Sequence, residues 1–84
     1  MMVVILAGTV REGDEYRKVA GLARSDVLIP SSPAAFSGLV LHDGDLIVEF
    51  PSFDSHPKAE KMRHLLRHRL KRCGANPPWE RITG

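Results

Sequence analysis

Apolar side chains follow one another from Met2 to Ala7 and stop at Gly8. Consecutive apolar positions face both sides of a sheet, so this run predicts a central strand covered on both faces. Gly8 to Gly13 reads as the turn that follows. Asp14 to Ala20 reads as a short helix. Its acidic start suits the positive end of the helix dipole, and Tyr16, Val19, Ala20 and Ala23 recur at helical spacing before Gly21 offers a left-handed stop. Asp26 to Pro30, with Val27-Leu28-Ile29 at its heart, predicts a second short buried strand.

Ser32 followed by Pro33 is an N-cap with proline at the first helical position, and predicts one or two turns through Phe36, ended at Gly38. Residues 39–50 have two readings. Asp43-Gly44 between apolar runs signals a hairpin. Alternatively, Val40 to Gly44 is an approach loop to a single strand, Asp45 to Phe50, which the preceding strand–helix–strand rhythm favours. After Pro51, Ser55 or His56 is the candidate cap of a last helix with Pro57 in its first turn. That helix runs to Cys73 and stops at Gly74, with an apolar stripe of Ala59, Met62, Leu66, Leu70 and Cys73 widened by Leu65.

Together these elements predict one α/β domain over residues 1–74, a small three-layer half of a doubly wound fold. Right-handed crossovers place the first strand between the other two, giving a three-stranded parallel sheet of order 2-1-3 with a long basic C-terminal helix. Residues 75–84 form a tail that either docks through Trp79 and Ile82 or hangs free. The outer strands are expected to be open edges unless a partner or the tail covers them. A domain of 84 residues buries only about 60–65% of its unfolded surface, so edges and thin core together predict self-association.

Composition narrows the class. The chain is 43% hydrophobic and 26% charged, as in an ordinary folded protein rather than a disordered one. Cys73 is the only cysteine, which excludes an intrachain disulfide and a cysteine-built zinc site. The N-terminal apolar run is too short to span a bilayer and lacks the basic start and cleavage site of a secretory signal. No membrane association is expected, and the expected setting is the cytoplasm. The net charge of +2 conceals a polarity: residues 1–54 carry four basic and eight acidic residues, whereas residues 55–84 carry eight basic and two acidic.

No catalytic motif is present, so the expectation is a protein without enzymatic activity and without a cofactor. Gly8-Thr9-Val10-Arg11-Glu12-Gly13 lies where α/β folds bind phosphate at a helix N-terminus. Asp14 stands where a P-loop has its lysine. The turn is either purely structural or a degenerate anion site of Thr9 and Arg11, joined at the same sheet edge by Ser32. Ser31 and Ser52 lie at that edge too, where serines commonly cap helices. His64 and His68 have the i, i+4 spacing of a zinc pair, but the stretch lacks the glutamate of H-E-x-x-H. Lys61, Arg67 and Lys71 around the pair oppose a cation, so no metal site is expected.

The basic helix is the most unusual feature. Between Pro57 and Cys73 it carries Lys58, Lys61, Arg63, Arg67, Arg69, Lys71 and Arg72 against a single carboxylate, Glu60. Helical geometry gathers Lys61, His64, His68 and Lys71 into one sector opposite the apolar stripe, flanked by Arg67 and Arg72. Such a band neutralises nucleic-acid phosphates, pairs with an acidic protein surface, or is simply a solvated face. No aromatic residue lies among the cations of this segment, which gives no sequence sign of base stacking.

Val4-Ile5-Leu6-Ala7-Gly8-Thr9, Tyr16, Pro30-Ser31-Ser32-Pro33, Ser37-Gly38-Leu39 and Leu46-Ile47-Val48-Glu49 form a pattern that resembles small Rossmann-like or P-loop-like α/β proteins of actinobacterial bacteriophages. The resemblance spans roughly residues 2–72 and is one of fold-level patterning. It implies a compact accessory protein of the host-cell cytoplasm that acts by binding, with nothing catalytic carried over because the P-loop lysine is missing. The leading expectation is contact with a protein partner or a second copy of the chain. Nucleic-acid binding by residues 57–73 and a degenerate nucleotide or phosphate site are the alternatives.

Overall fold

In the computed structural model, which describes residues 1–82, strand β1 (Val3–Leu6) is buried along its whole length at the centre of the sheet. It pairs in parallel with β2 (Val27–Leu28) on one side and β3 (Leu46–Glu49) on the other. A fourth parallel strand, β4 (Trp79–Arg81), adds to the far side of β3, so the order is β2-β1-β3-β4. The predicted order 2-1-3 is kept, but the sheet has four strands rather than three. The tail supplies the fourth: the Ile47 N–H donates to the Pro78 carbonyl at 2.9 Å and the Ile82 N–H to the Glu49 carbonyl at 2.8 Å. Its apolar content, Trp79 and Ile82 around two charged residues, is too sparse to read as a strand. Residues 83 and 84 of the predicted tail lie outside the described residues.

Residues 39–50 hold a single strand, not a hairpin. Asp43-Gly44 belongs to a turn closed by the Asp45 N–H on the His42 carbonyl at 3.0 Å. The Asp45 carboxylate accepts from the N–H groups of His42 and Met2, each at 2.8 Å, and so ties this turn to the start of β1. The second strand is shorter and less buried than predicted, because it forms one edge of the sheet.

Helix α1 (Val10–Val19) begins four residues earlier than expected, and 8–13 is therefore not a turn. Thr9 caps it, its hydroxyl accepting from the Glu12 N–H at 3.2 Å, and the Glu12 carboxylate reaches back to the Gly8 N–H at 3.4 Å. This is the reciprocal arrangement of a capping box, displaced by one residue. Gly13, which suggested a loop, sits inside the helix against Ile29, where a Cβ would come within 2.8 Å of the Ile29 methyl. Its small size serves close packing.

Helix α2 (Ala59–Cys73) starts at Lys58, later than the predicted caps Ser55 and His56. Those two residues end a 3-10 turn, Pro51–Ser55. His56 is extended, as a residue preceding proline prefers. Gly74 ends α2 in the left-handed conformation, φ 65°.

Side-chain alternation along the strands sorts the core into two layers. Val3, Ile5, Ala7 and Val48 face α1 with Tyr16, Leu22, Ile29 and Phe50. Val4, Leu6 and Ile47 face α2 with Phe36, Leu41, Phe53, Met62 and Leu66. By the same alternation Glu49, Trp79 and Arg81 project toward α2 at the carboxyl end of the sheet. No helix among the described residues is long and apolar enough to cross a membrane.

Candidate functional site

The outward face of α2 carries Lys61, His64, Arg67, His68, Lys71 and Arg72, all exposed. His64, Arg67, His68 and Lys71 line a shallow groove of about 380 Å³. Among the described residues none of these cations pairs with a carboxylate. The six residues read from the helix spacing thus do share one surface.

Three of the seven cations do not belong to it: Lys58 is the N-cap residue before the helix, and Arg63 and Arg69 turn inward. Arg69 turns back and donates from Nε and Nη2 to the Leu39 carbonyl at 3.0 and 2.8 Å. Arg63 is buried. The helix geometry already hints at both: at about 100° per residue Arg63 falls roughly 20° from Leu70 and Arg69 roughly 20° from Met62, on the margins of the apolar stripe.

Arg63 organises a second constellation. Its Nη2 donates to Glu49 Oε2 at 3.0 Å and to Asp54, and its Nη1 donates to Glu60. The guanidinium carbon lies 5.0 Å from the centre of the Phe53 ring. Trp79 Nε1 donates to the other Glu49 oxygen at 3.0 Å, and Arg81 to Asp54 at 2.7 Å. Burial by itself would push the Arg63 pKa down, but the bonds to Glu49 and Asp54 outweigh it and hold the pKa above its usual value. The Asp54 carboxyl is held below the usual range, first by its hydrogen bond from Arg63. Arg67, on the outer side, places its guanidinium carbon 5.4 Å from the centre of the Trp79 ring.

These residues line a cavity of about 490 Å³ between α2 and the ends of β3 and β4, formed by Glu49, Asp54, Glu60, Arg63, Arg67, Trp79 and Arg81. Arg67 lines both this cavity and the cationic groove. The sequence reading missed the cluster because its members come from β3, the following turn, α2 and β4. The strand pairing of Glu49 with Arg81 and the bonds of Trp79 to Glu49 and of Arg81 to Asp54 exist only once the tail has joined the sheet.

The third group, Thr9, Arg11 and Ser32, is arranged differently. The Thr9 hydroxyl is engaged with the Glu12 N–H. The Gly8 N–H, which a phosphate would have to reach, donates to Ser52 Oγ at 3.2 Å and to the Glu12 carboxylate, and the Ser52 hydroxyl itself donates to Glu12. An anionic side chain thus already stands over the turn. Arg11 pairs with Glu15 at 3.5 Å and lines a groove on the other side of α1, with Val10, Asp14, Arg17, Arg24, Val27 and Ile29. Ser32 precedes the 3-10 turn Pro33–Phe36 and makes no side-chain capping bond.

The acidic half of the charge polarity is largely engaged within the fold. Asp14 pairs with Arg17 and Lys18, Glu15 with Arg11, and Glu49, Asp54 and Glu60 with Arg63. Asp45 and Asp43 accept from backbone N–H groups, and Glu12 from Gly8 and Ser52. Among the described residues only Asp26 and Glu80 make neither an ion pair nor a side-chain hydrogen bond. Among the described residues, the cations of this face of α2 are thus unpaired while most carboxylates are engaged. No protein-family model, no curated protein and no solved structure matches this chain.

Proposed function

We propose that this protein is a non-catalytic binding module that engages the phosphate backbone of nucleic acid through the exposed face of α2. One observation carries the proposal: Lys61, Arg67, Lys71 and Arg72 lie on one helix face with His64 and His68 between them, unpaired among the described residues, while the protein's carboxylates are mostly engaged internally. Had the helix evolved to pair with a second copy, a matching set of free carboxylates would be expected. A polyanion needs none, and it gains affinity by releasing its own counterions. A cytoplasmic setting suits such a ligand.

The test is fluorescence anisotropy with labelled DNA and RNA over 50–200 mM salt. With about four cations engaged, log K should fall with log salt at a slope of about −3 to −4. The triple variant Lys61→Glu, Lys71→Glu, Arg72→Glu changes only exposed side chains, and should retain the fold while losing most binding. Absence of binding at 50 mM salt, or unchanged binding by the variant, overturns the proposal.

A second reading, self-association or docking of a protein partner, is favoured by a different face. Val10 on α1 is 48% exposed and lines a groove of about 580 Å³ beside the open sheet edge that β2 leaves. A solution mass that stays monomeric at high protein concentration removes the self-association part.

A further inference from the structure

We propose that the nucleic acid is single-stranded, and that one of its bases stacks beside Trp79 while the adjoining phosphates lie along the α2 groove. The inference rests on the nucleic-acid reading above and adds the ligand's class. The sequence placed no aromatic residue among the helix cations. The fold supplies one from β4: Trp79 faces α2, half-buried, with the guanidinium of Arg67 over its ring at 5.4 Å from the centre. The hydrogen bond from Nε1 to Glu49 fixes the ring in place at 3.0 Å. Glu49 is itself held by Arg63, so the indole orientation is set before any ligand arrives, which lowers the ordering cost of binding.

Polarity sorts the two parts of a nucleotide between the two hollows that Arg67 separates. The groove of His64, Arg67, His68 and Lys71 is cationic and takes phosphate. The cavity around Trp79 is lined by three carboxylates, Glu49, Asp54 and Glu60, and three guanidiniums, Arg63, Arg67 and Arg81, so unlike the groove it carries no excess of positive charge. Glu60 engages only one of its two oxygens there, which leaves the other to accept a hydrogen bond from a ring or exocyclic N–H group of a base. At about 490 Å³ the cavity falls within the size of small-molecule clefts, roughly 300–1,000 Å³. Arg67 lies over the indole, and single-stranded bases stack on aromatic rings and on arginine planes alike, so the Trp79–Arg67 pair is the stacking platform. Bases paired and stacked in a duplex cannot enter such a cleft, whereas those of a single strand are free to do so.

Trp79 is the only tryptophan, so its emission reports on this site alone. The wild-type protein is titrated with a dT oligonucleotide, the matching duplex, and heparin, a polyanion without bases, with anisotropy and tryptophan emission followed together. The single strand is expected to quench Trp79 with the same Kd that anisotropy gives and to bind more tightly than the duplex. Heparin is expected to bind without comparable quenching. Trp79→Leu should weaken single-strand binding by about 5- to 150-fold while leaving heparin binding in place, and Trp79→Phe, which keeps a stacking ring, should retain most of the affinity. Equal quenching by all three ligands, or binding that leaves the emission unchanged, overturns the stacking site and leaves the backbone reading standing. Failure of every ligand to bind at low salt removes both.

Discussion

Replacing Arg63 by methionine should cost more stability than replacing any other cation of α2, although the sequence presents Arg63 as one of seven similar cations. Methionine keeps an unbranched chain against Phe53 but removes the guanidinium donors that Arg63 gives to the three carboxylates. Glu49 decides the magnitude. It is 5% exposed and Arg63 is 9% exposed, and with the guanidinium gone the carboxylate keeps only the Trp79 indole as donor. Removing one partner of a buried ion pair costs about 3–5 kcal/mol, most of it the penalty of an uncompensated buried charge. Asp54 and Glu60, with side chains 52% and 87% exposed, recover their hydration and add little. An 84-residue domain is stable by roughly 4–13 kcal/mol, so this one change consumes a quarter of that or more. Urea unfolding followed by far-UV circular dichroism measures the loss. The double variant Arg63→Met, Glu49→Gln removes the buried charge as well and should recover at least half of it. A loss under about 1 kcal/mol for the single variant, or a double variant no better than the single, would refute this account of the cluster.

Three further outcomes follow from the fold. Asp45→Asn should cost about 1.5–3 kcal/mol at neutral pH, because asparagine has one acceptor for the two N–H groups of Met2 and His42. Burial tends to raise the Asp45 pKa, but these two bonds outweigh it and hold the carboxyl below its ordinary value. The stabilisation is therefore complete above the unfolded pKa and lost as pH falls through the lower folded value, so the difference between wild type and variant should shrink below about pH 4; a constant difference down to pH 2 refutes it. Gly13→Ala should destabilise the protein despite the better helix propensity of alanine, since the new methyl meets Ile29 at 2.8 Å and overpacking costs about 1–3 kcal/mol against a gain of about 1. In an Ile29→Ala background the same change should become neutral or favourable, and thermal melts of the four proteins decide it. A chain ending at Gly74 should aggregate or unfold, because it loses β4 and exposes the β3 edge together with Ile47; a monodisperse, cooperatively folding product in light scattering and urea melts refutes this.

Local signals located β1, β3 and the apolar stripe of α2, because each is a dense run or a clean period. They misplaced the start of α1 because Gly13 looks like a turn residue, and only its contact with Ile29 explains a glycine inside the helix. A closer reading of Thr9-Val10-Arg11-Glu12 as a capping box would have set the start correctly. The face of Lys61, His64, Arg67, His68, Lys71 and Arg72 was legible from helical spacing, since neighbours on one helix face are fixed by local geometry alone.

The Arg63 cluster and the Arg67–Trp79 contact were not legible. Their partners stand up to thirty positions apart, as Trp79 does from Glu49, and the tail carries too few apolar residues to declare itself a strand. What the amino-acid sequence determined by itself is the short-range part: a buried central strand, an alternation of helices and strands that commits the chain to a parallel sheet, and a cationic helix face. The tertiary structure decided which cations remain free. Whether an arginine becomes a buried ion-pair partner or a surface charge depends on what packs against its helix, and the groups that meet Arg63 and Arg67 come from β3, the turn after it and β4.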